Sequence, residues 1–277
     1  DMGTGCDTTL AQVAAECLGC ELDDIVVFGA DTDISPYDSG SYASSTAYLT
    51  GTAVVKTCEA LKEKILHKAA KYLETGAEEL EFDGKRVYKL ACEADGTRKE
   101  ITIKDLANRV QCANEDALQV TQSHSSPISP PPFMAGAAEG EGDLETGQVE
   151  LIKFAAAVDC GTPLNENLAR VQTEGGLVQG IGMALYEDVS YSKDGKVHEN
   201  SFMQYKVPSR LDVGRVQVEF ESSFEPTGPF GAKSIGEVVI NTPSPAIANA
   251  VYNAVGVRIR ELPITAEKVF KGMNGLD

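Results

Sequence analysis

A single carboxylate, Glu237, stands among apolar and glycine residues near the end of the sequence. Residues 228–263, GPFGAKSIGEVVINTPSPAIANAVYNAVGVRIRELP, place it after two glycine-containing turns and before a helix-like apolar segment. A carboxylate in apolar surroundings is expected to have a raised pKa, and it can then act as a general base near neutral pH. A salt bridge to Lys233 is the structural alternative, and the neighbouring residues favour the two interpretations equally.

A run of small hydroxyl residues precedes a predicted helix and consists of Ser39, Ser41, Ser44, Ser45 and Thr46. Free amides and hydroxyls at the start of a helix favour an anion, although these features alone favour an ordinary capped turn over a phosphate cradle. The preceding DTDISPYDSGSY alternates acids as a calcium loop does. It has Pro36 and Tyr42 where an EF-hand needs glycine and glutamate, so calcium is excluded.

Other arrangements of reactive residues point to no site. Cys17 and Cys20 have the CxxC spacing of metal and redox sites, but they fall on a predicted helix without a second pair. Because a zinc or cluster site needs about four ligands, core packing is favoured over metal binding, and no metal ligand is predicted. The chain has three histidines and no G-x-S-x-G elbow, which leaves a serine hydrolase unsupported. GGLVQGIGMA lacks the G-x-G-x-x-G order of a dinucleotide site.

Composition narrows the possible partners. The chain of 277 residues carries 24 Lys plus Arg against 42 Asp plus Glu, for a net charge of −18. Such a charge opposes long contact with phosphate backbones or anionic membranes, so we expect neither nucleic acid nor membrane as a partner. The seven cysteines are odd in number and lie in apolar surroundings, which favours reduced, buried thiols and a cytoplasmic location.

The first half of the chain must position these residues on helices and hairpins. Apolar spacing predicts a helix over 8–22, capped by Asp7 or Thr8, then a short buried strand at DIVVFGA, 24–30. A long helix is predicted from Ala47 to Leu73. Asp-Gly pairs at 83–84 and 95–96 predict two hairpins, and a brief helix over 104–110 is capped near Thr102 or Asp105.

The second half begins with a proline- and glycine-rich connection. The sequence predicts two subdomains, 1–125 and 150–277, joined by residues 125–149. A strand at VELIKFAAAVDCG and a helix at ENLARVQTEGGLVQGIGMALYED follow, and four glycines in that helix predict close approach to another surface or a ligand. A hairpin at SKDGK, a strand at RVQVEFESS and a final helix from Pro243 or Pro245 complete an α+β fold with mixed or antiparallel sheets and packed helices.

Five ordered blocks of the sequence carry a family resemblance. They are DMGTGCDTTLAQVAAECLG, DTDISPYDSGSYASSTAYLTGTAV, VDCGTPLNENLARVQTEGGLVQGIGMALYED, YKVPS and GAKSIGEVVINTPSPAIANAVYNAVGVRIRELPITAEKV. Together they resemble the second half of the molybdopterin-binding large subunit in the xanthine dehydrogenase family of molybdenum hydroxylases. Members that split this subunit, such as nicotinate dehydrogenase, suit the short length. The resemblance implies that residues 1–277 form a molybdopterin-binding region.

The resemblance also implies roles for particular residues. Glu237 in SIGE matches the active-site glutamate, which removes a proton from a metal-bound hydroxyl that attacks an electron-poor ring carbon. The implied cofactor-binding residues are Gly3, Thr4, Gly5, Ser41, Ala43, Ser44, Thr46, Gln172 and Glu174. The implied cofactor is molybdenum-molybdopterin, either as such or in its cytosine dinucleotide form. A 2Fe-2S cluster and FAD are implied on partner subunits, together with a first-half molybdopterin subunit and a small N-heterocyclic substrate.

The sequence departs from the family pattern at three places. Thr4 stands where many members have glutamine, LNE at 164–166 replaces INP, and EGEGD at 139–143 replaces EVEVD. The first half of the large subunit, with its substrate-orienting side chains, has no counterpart in this sequence. Two readings therefore remain. One is a subunit of a hydroxylase for a purine or related N-heterocycle, with nicotinate- or aldehyde-oxidising members as alternatives. The other is a non-catalytic assembly subunit without cofactor.

Overall fold

The computed structural model describes residues 1–276, and it divides them into two compact units. Unit 1 consists of residues 1–129 and 225–232, and unit 2 consists of residues 130–224 and the chain from Lys233 onward. The predicted connection over 125–149 is longer than the boundary between the units, which falls between residues 129 and 130. Residues 133–142 form a strand of unit 2. The glycines there serve packing: a Cβ on Gly136 would lie 2.6 Å from Thr242 Oγ1 and 2.8 Å from Phe154 Cζ.

Helix α1 of unit 1 spans Cys6–Leu18. Its first turn is preceded by Gly5 in the left-handed region, with φ 75°, and no side chain caps the helix. The predicted caps Asp7 and Thr8 are therefore wrong, since both lie inside the helix. Gly19, also left-handed with φ 72°, ends it, as glycine commonly does.

The predicted strand at residues 24–30 is absent. Residues 22–24 form a short 3₁₀ turn, and residues 25–29 adopt no helix, strand or turn. Val26 is 76% exposed and Phe28 is 70% exposed, so the segment is not buried either. Its apolar run predicts a strand, but no other strand within the described residues pairs with it.

The rest of unit 1 matches the predicted elements. Helix α2, Gly51–Leu73, follows a π-helical turn at Thr46–Thr50. Strands β1, Leu80–Phe82, β2, Arg86–Lys89, and β3, Glu100–Thr102, form an antiparallel sheet in that order. Helix α3, Ile103–Cys112, is capped by Thr102 as predicted, since Asp105 N donates to Thr102 Oγ1. The core between α2, the sheet and α3 consists of Ile65, Ala69, Leu73, Leu80, Val87, Ile101, Leu106 and Val110.

Unit 2 is built on a mixed three-stranded sheet. Strands β4, Phe133–Gly142, and β5, Val149–Asp159, are antiparallel, and β6, Arg215–Phe220, runs parallel to β5. Helix α4, Glu166–Leu185, and helix α5, Pro243–Val255, pack with the sheet around Phe154, Leu177, Ile181, Ile247 and Val251. The predicted SKDGK hairpin is limited to one bridge between Tyr191 and Val197. With helices and two small sheets, the predicted α+β class is confirmed.

Three glycines of α4 let residues of neighbouring segments pack closely against the helix. A Cβ on Gly176 would collide with Val239, and one on Gly180 would lie 2.7 Å from Pro243 Cγ. Gly182 is equally confined, by Glu187 and Pro208, whereas Gly175 has no atom within 4 Å. The predicted close approach therefore holds for three of the four glycines.

Pro243 starts α5, as predicted for a residue without an amide hydrogen. That helix is not the final one, however. Helix α6, Ala266–Asn274, follows it and is capped by the hydroxyl of Thr265. The cap sequence T-x-x-K lacks the glutamate that would mark a capping box, which explains why it escaped prediction.

The cysteines are unpaired throughout the described chain. Cys58 and Cys160 are buried, and burial raises the pKa of both thiols to about 11. Cys92 and Cys112 are exposed, so the expectation of uniformly buried thiols is wrong. Within residues 1–276, no helix has the length and apolar character needed to cross a bilayer.

Candidate functional site

A glycine turn, residues 3–5, presents backbone amides at the start of α1. Gly3 has φ 100° and Gly5 has φ 75°, and both conformations favour glycine. The amides of Gly3 and Gly5 donate to Asp1 Oδ1 at 2.7 and 3.3 Å, and Asp7 N donates to Asp1 Oδ2 at 3.4 Å. Three amides therefore already bind one carboxylate, which demonstrates that the turn accepts an anionic oxygen.

The serine loop, residues 39–46, holds a hydroxyl that no protein group within residues 1–276 satisfies. In this described part of the chain, Ser44 Oγ is buried without a hydrogen-bond partner. Ser41 Oγ and Thr46 Oγ1 share a hydrogen bond of 2.6 Å. Ala43 and Ser44 are both left-handed, with φ 50° and 57°, which costs about 1–2 kcal/mol for each non-glycine residue. An orphaned buried hydroxyl on a strained turn is typical of a loop shaped for a ligand.

Unit 1 brings the glycine turn and the serine loop together. The sulfur of Met2 accepts from Thr4 Oγ1 at 3.5 Å and from Ser41 Oγ at 3.8 Å. Helix α1 also packs against the π-helical turn 46–50. Two stretches about 40 residues apart in sequence thus form one surface of amides and hydroxyls. This donor set fits an oxygen-rich, anionic cofactor such as a phosphorylated pterin.

The same turn contains one group of acids and a thiol. Ligand atoms of Asp1, Cys6 and Asp7 lie within 4.8 Å of one another. The Asp1 carboxylate is already engaged by the backbone amides of Gly3, Gly5 and Asp7. We assign no metal to this group.

Gln172 and Glu174 lie on α4 in unit 2. Two positions along a helix correspond to a rotation of about 200°, so these side chains point to nearly opposite sides. Thr173 between them is fully buried, and its hydroxyl donates to Ala169 O at 2.8 Å. The structure therefore does not bring Gln172 and Glu174 to one face.

Glu237 lies on a short segment before a 3₁₀ turn at Val238–Ile240. Its side chain is exposed, so the expectation of a carboxylate enclosed by apolar neighbours is wrong for this chain. Within residues 1–276, the carboxylate makes no hydrogen bond and no ion pair. Val239 packs against Gly176 of α4, and this contact fixes the position of the turn. Glu237 is thus an unengaged acid on an anchored backbone.

Lys233 does not pair with Glu237. Its Nζ lies 2.8 Å from Asp159 Oδ2, and its amide donates to Cys160 O at 2.7 Å. The salt bridge considered as the alternative role for Glu237 is therefore wrong. The end of β5 holds Lys233 at two points, four residues before Glu237.

Asp159 is the anchor that sequence reasoning missed. Burial opposes ionisation of its carboxyl, but hydrogen bonds from Lys233, Ser223 and Gly161 outweigh that cost and hold the pKa below its usual range. Ser223 Oγ and Gly161 N donate to Oδ1 at 2.6 and 2.9 Å. The sequence does contain one indication of this role. Asp159 is an acid at the end of a predicted buried strand, two residues before Gly161.

Comparisons with known proteins identify a cofactor-binding family and several oxidoreductase relatives. A family model described as molybdopterin cofactor-binding domain matches residues 1–214. The probable hypoxanthine oxidase XdhD of Escherichia coli K12 is 34% identical over 99% of this chain and 28% of its own length. Subunit gamma of the 6-hydroxypseudooxynicotine dehydrogenase complex of Paenarthrobacter nicotinovorans is 31% identical over 100% of this chain and 35% of its own.

A solved structure has a closely similar fold. CO dehydrogenase from Oligotropha carboxidovorans superposes with a TM-score of 0.85 at 28% identity, covering 99% of this chain and 35% of that one. The chain therefore spans about a third of the length of the relatives it matches.

Proposed function

Because this chain belongs to the molybdopterin cofactor-binding domain family, in the large subunits of xanthine dehydrogenase-like molybdenum hydroxylases, we propose that it forms part of the catalytic subunit of such an enzyme. The reaction hydroxylates an electron-poor carbon of a purine or related N-heterocycle, with water as the source of oxygen. The similarity to a relative named as a probable hypoxanthine oxidase supports a purine. Relatives named for nicotine and aldehyde substrates make those classes the alternatives to be screened.

The proposal rests on the exposed carboxylate of Glu237, which makes no hydrogen bond and no ion pair within residues 1–276. A general base needs a carboxylate that is free to take up a proton and a backbone that holds it in position. Glu237 has no partner in residues 1–276, while Lys233 and Asp159 fix the strand end from which its segment departs. In this role, Glu237 accepts at a carboxylate oxygen the proton that water loses as the new carbon–oxygen bond forms.

The glycine turn and the serine loop would hold the cofactor. The donors for its pterin and phosphate oxygens are the hydroxyls of Ser41, Ser44 and Thr46 and the amides of Gly3 and Gly5, which the cofactor takes over from the Asp1 carboxylate; Ala43 shapes the turn. When bound, molybdenum-molybdopterin, as such or in its cytosine dinucleotide form, supplies the two-electron acceptor of the oxidation. Thr4, Gln172 and Glu174 are further candidate contacts.

Other polypeptides complete the enzyme. The chain spans about a third of its relatives, so we place the substrate-orienting part in the remaining polypeptide of the large subunit. Electrons would pass to a 2Fe-2S cluster and FAD on partner subunits. Relatives named as subunits of complexes support such an assembly. We place the complex in the cytoplasm.

Glu237→Gln in the assembled enzyme tests the role of the base. The amide keeps the shape of the side chain but cannot take up a proton, so turnover should fall by about 100-fold or more, with molybdenum content unchanged. Glu261→Gln, at another exposed acid without a side-chain partner, is the matched control and should retain turnover. Near-normal turnover of Glu237→Gln would refute the assignment.

The non-catalytic reading predicts a different composition. An assembly subunit needs no cofactor, so its native complex would contain neither molybdenum nor pterin. Metal analysis of the native complex, with mass-spectrometric identification of its chains, distinguishes the two. A complex that contains the cofactor should then be screened against purines, nicotinate and aldehydes.

A further inference from the structure

Residues 25–29, Ile-Val-Val-Phe-Gly, form an apolar segment on the surface of unit 1 that pairs with no strand in residues 1–276, and we call it the open strand. Val26 and Phe28 are 76% and 70% exposed, whereas Val27 is 42% exposed and Ile25 is half-buried. Val26 and Phe28 are therefore the most exposed side chains, and residues two positions apart share one face of an extended segment. The face with Val26 and Phe28 lies uncovered.

The backbone of the open strand is unpaired. Within residues 1–276, the amides of Val26, Val27 and Phe28 donate to no protein group, and Phe28 O accepts one hydrogen bond, from Ser35 Oγ at 3.3 Å. Ile25 is extended, with φ −108° and ψ 128°. The 3₁₀ turn at residues 22–24 precedes the segment, and Gly29 at its other end lies close to Asp7, since a Cβ on Gly29 would lie 3.0 Å from Asp7 Oδ1.

An unpaired apolar segment of this kind is expected to be covered by another chain or segment. Native proteins protect exposed strand edges with charges, prolines or bulges, because a free apolar edge pairs with other chains. The open strand has no charge and no proline between residues 25 and 29. It is therefore expected to be paired in the assembled protein.

The charges around the open strand indicate what covers it. Residues 1–55 contain nine Asp plus Glu and no Lys or Arg. Asp23 and Asp24 flank the open strand on one side, and Asp31 and Asp33 on the other. An antiparallel pairing of two copies would place like charges opposite each other, which is destabilising. Relatives about three times as long supply additional polypeptide that could pair instead.

We infer that the open strand pairs with an apolar strand flanked by lysine or arginine, contributed by the part of the large subunit that lies outside residues 1–277. The inference rests on the proposed function, because that function requires the remaining polypeptide. Main-chain hydrogen bonds supply affinity in this form of recognition, and the side chains of Val26 and Phe28 supply fit. The site is an unpaired apolar segment that becomes a strand when the other part of the large subunit pairs with it.

Hydrogen exchange on the native complex tests the pairing. Amides of residues 26–29 should exchange about 100-fold more slowly than those of an unstructured peptide. Exchange at the unstructured rate would overturn the inference. Molybdenum content and turnover are measured on the same preparation. Fast exchange in an active, molybdenum-containing complex therefore refutes the pairing and leaves the proposed function standing.

Carbodiimide cross-linking identifies the partner. The reagent joins carboxylates to nearby lysines, so Asp23, Asp24, Asp31 or Asp33 should link to lysines outside residues 1–277. Cross-links only to lysines of this chain or of a second copy would overturn the inference, as would their complete absence.

Phe28→Lys places a charge on the uncovered face and should weaken retention of the remaining polypeptide by about tenfold. Leu90→Lys makes the same apolar-to-lysine change at an exposed residue just after β2, outside the acidic flanks of the open strand, and is the matched control. Both sites are exposed, so circular dichroism should report equal folding. Equal retention in the two variants would contradict the assigned face.

Discussion

The ion pair between Lys233 and Asp159 should be the electrostatic anchor of unit 2, and Lys233→Met tests this. The substitution keeps the length and the apolar stem of the side chain but removes the charge on Nζ. Asp159 then keeps its hydrogen bonds from Ser223 and Gly161 and loses its counter-ion. The side chains of Lys233 and Asp159 are only 10% and 21% exposed, so water replaces the lost partner poorly.

The expected cost follows from that burial. Removing one partner of a buried pair costs about 3–5 kcal/mol, and the residual exposure of both groups places this pair near 3 kcal/mol. Lys196 and Asp194 form the matched control, because their side chains are 81% and 62% exposed at an Nζ to Oδ2 distance of 3.0 Å. Lys196→Met should therefore cost at most about 1 kcal/mol.

Amide hydrogen exchange along β5 measures the difference. A loss of about 3 kcal/mol in the opening free energy corresponds to exchange about 150-fold faster at residues 154–158. Lys196→Met should accelerate the same amides by no more than about fivefold. If both variants change exchange equally, the anchoring role of Lys233 is refuted.

The pH dependence of this anchor has a defined sign. The folded pKa of Asp159 is below its unfolded value, so the unfolded chain binds more protons between the two. Its stabilisation is complete above the unfolded pKa, near about 3.9, and is lost as the pH falls through the folded pKa. Lys233→Met should therefore reduce the acid sensitivity of β5 exchange in that range.

Two further predictions concern the glycines of α4 and the serine loop. Gly176→Ala should destabilise unit 2 and lower turnover, because the added Cβ would displace Val239 beside the Glu237 segment. Gly175→Ala places its Cβ in open space and should stabilise the helix by up to about 1 kcal/mol. Denaturation and activity assays of both variants measure the difference. Ser44→Ala should leave the stability of the cofactor-free protein unchanged, because the hydroxyl has no protein partner within residues 1–276. The same variant should lower the molybdenum content of the complex. Ser39→Ala is the control and should change neither quantity.

Sequence patterns predicted the elements whose cause is local. The apolar spacing of α2 and α4, the Thr102 cap and the proline start of α5 all depend on residues within a few positions, and the structure confirms them. Predictions failed where a distant partner decides. Residues 24–30 have the composition of a strand and nothing to pair with, and residues 133–142 form a strand because β5 lies beside them.

The candidate site divides in the same way. Glu237 and the serine loop are recognisable from ordered motifs, and the cofactor class that those motifs imply agrees with the family match. The engagement of Lys233 by Asp159 spans 74 residues, and no local pattern indicates it. The roles of Glu237 and the proposed cofactor contacts remain predictions for the experiments above.

The discontinuity of unit 1 has a consequence for synthesis on the ribosome. Its buried Tyr48, four residues after Ser44, donates to or accepts from Thr227 Oγ1 at 2.8 Å, and Gly51 packs against Pro229. At about 5–20 residues per second, the roughly 100 residues between Ser129 and Ala232 delay that contact by about 5–20 s. The serine loop thus receives its last support only after Thr227 and Pro229 have emerged. Insertion of the cofactor should accordingly follow the synthesis of these residues.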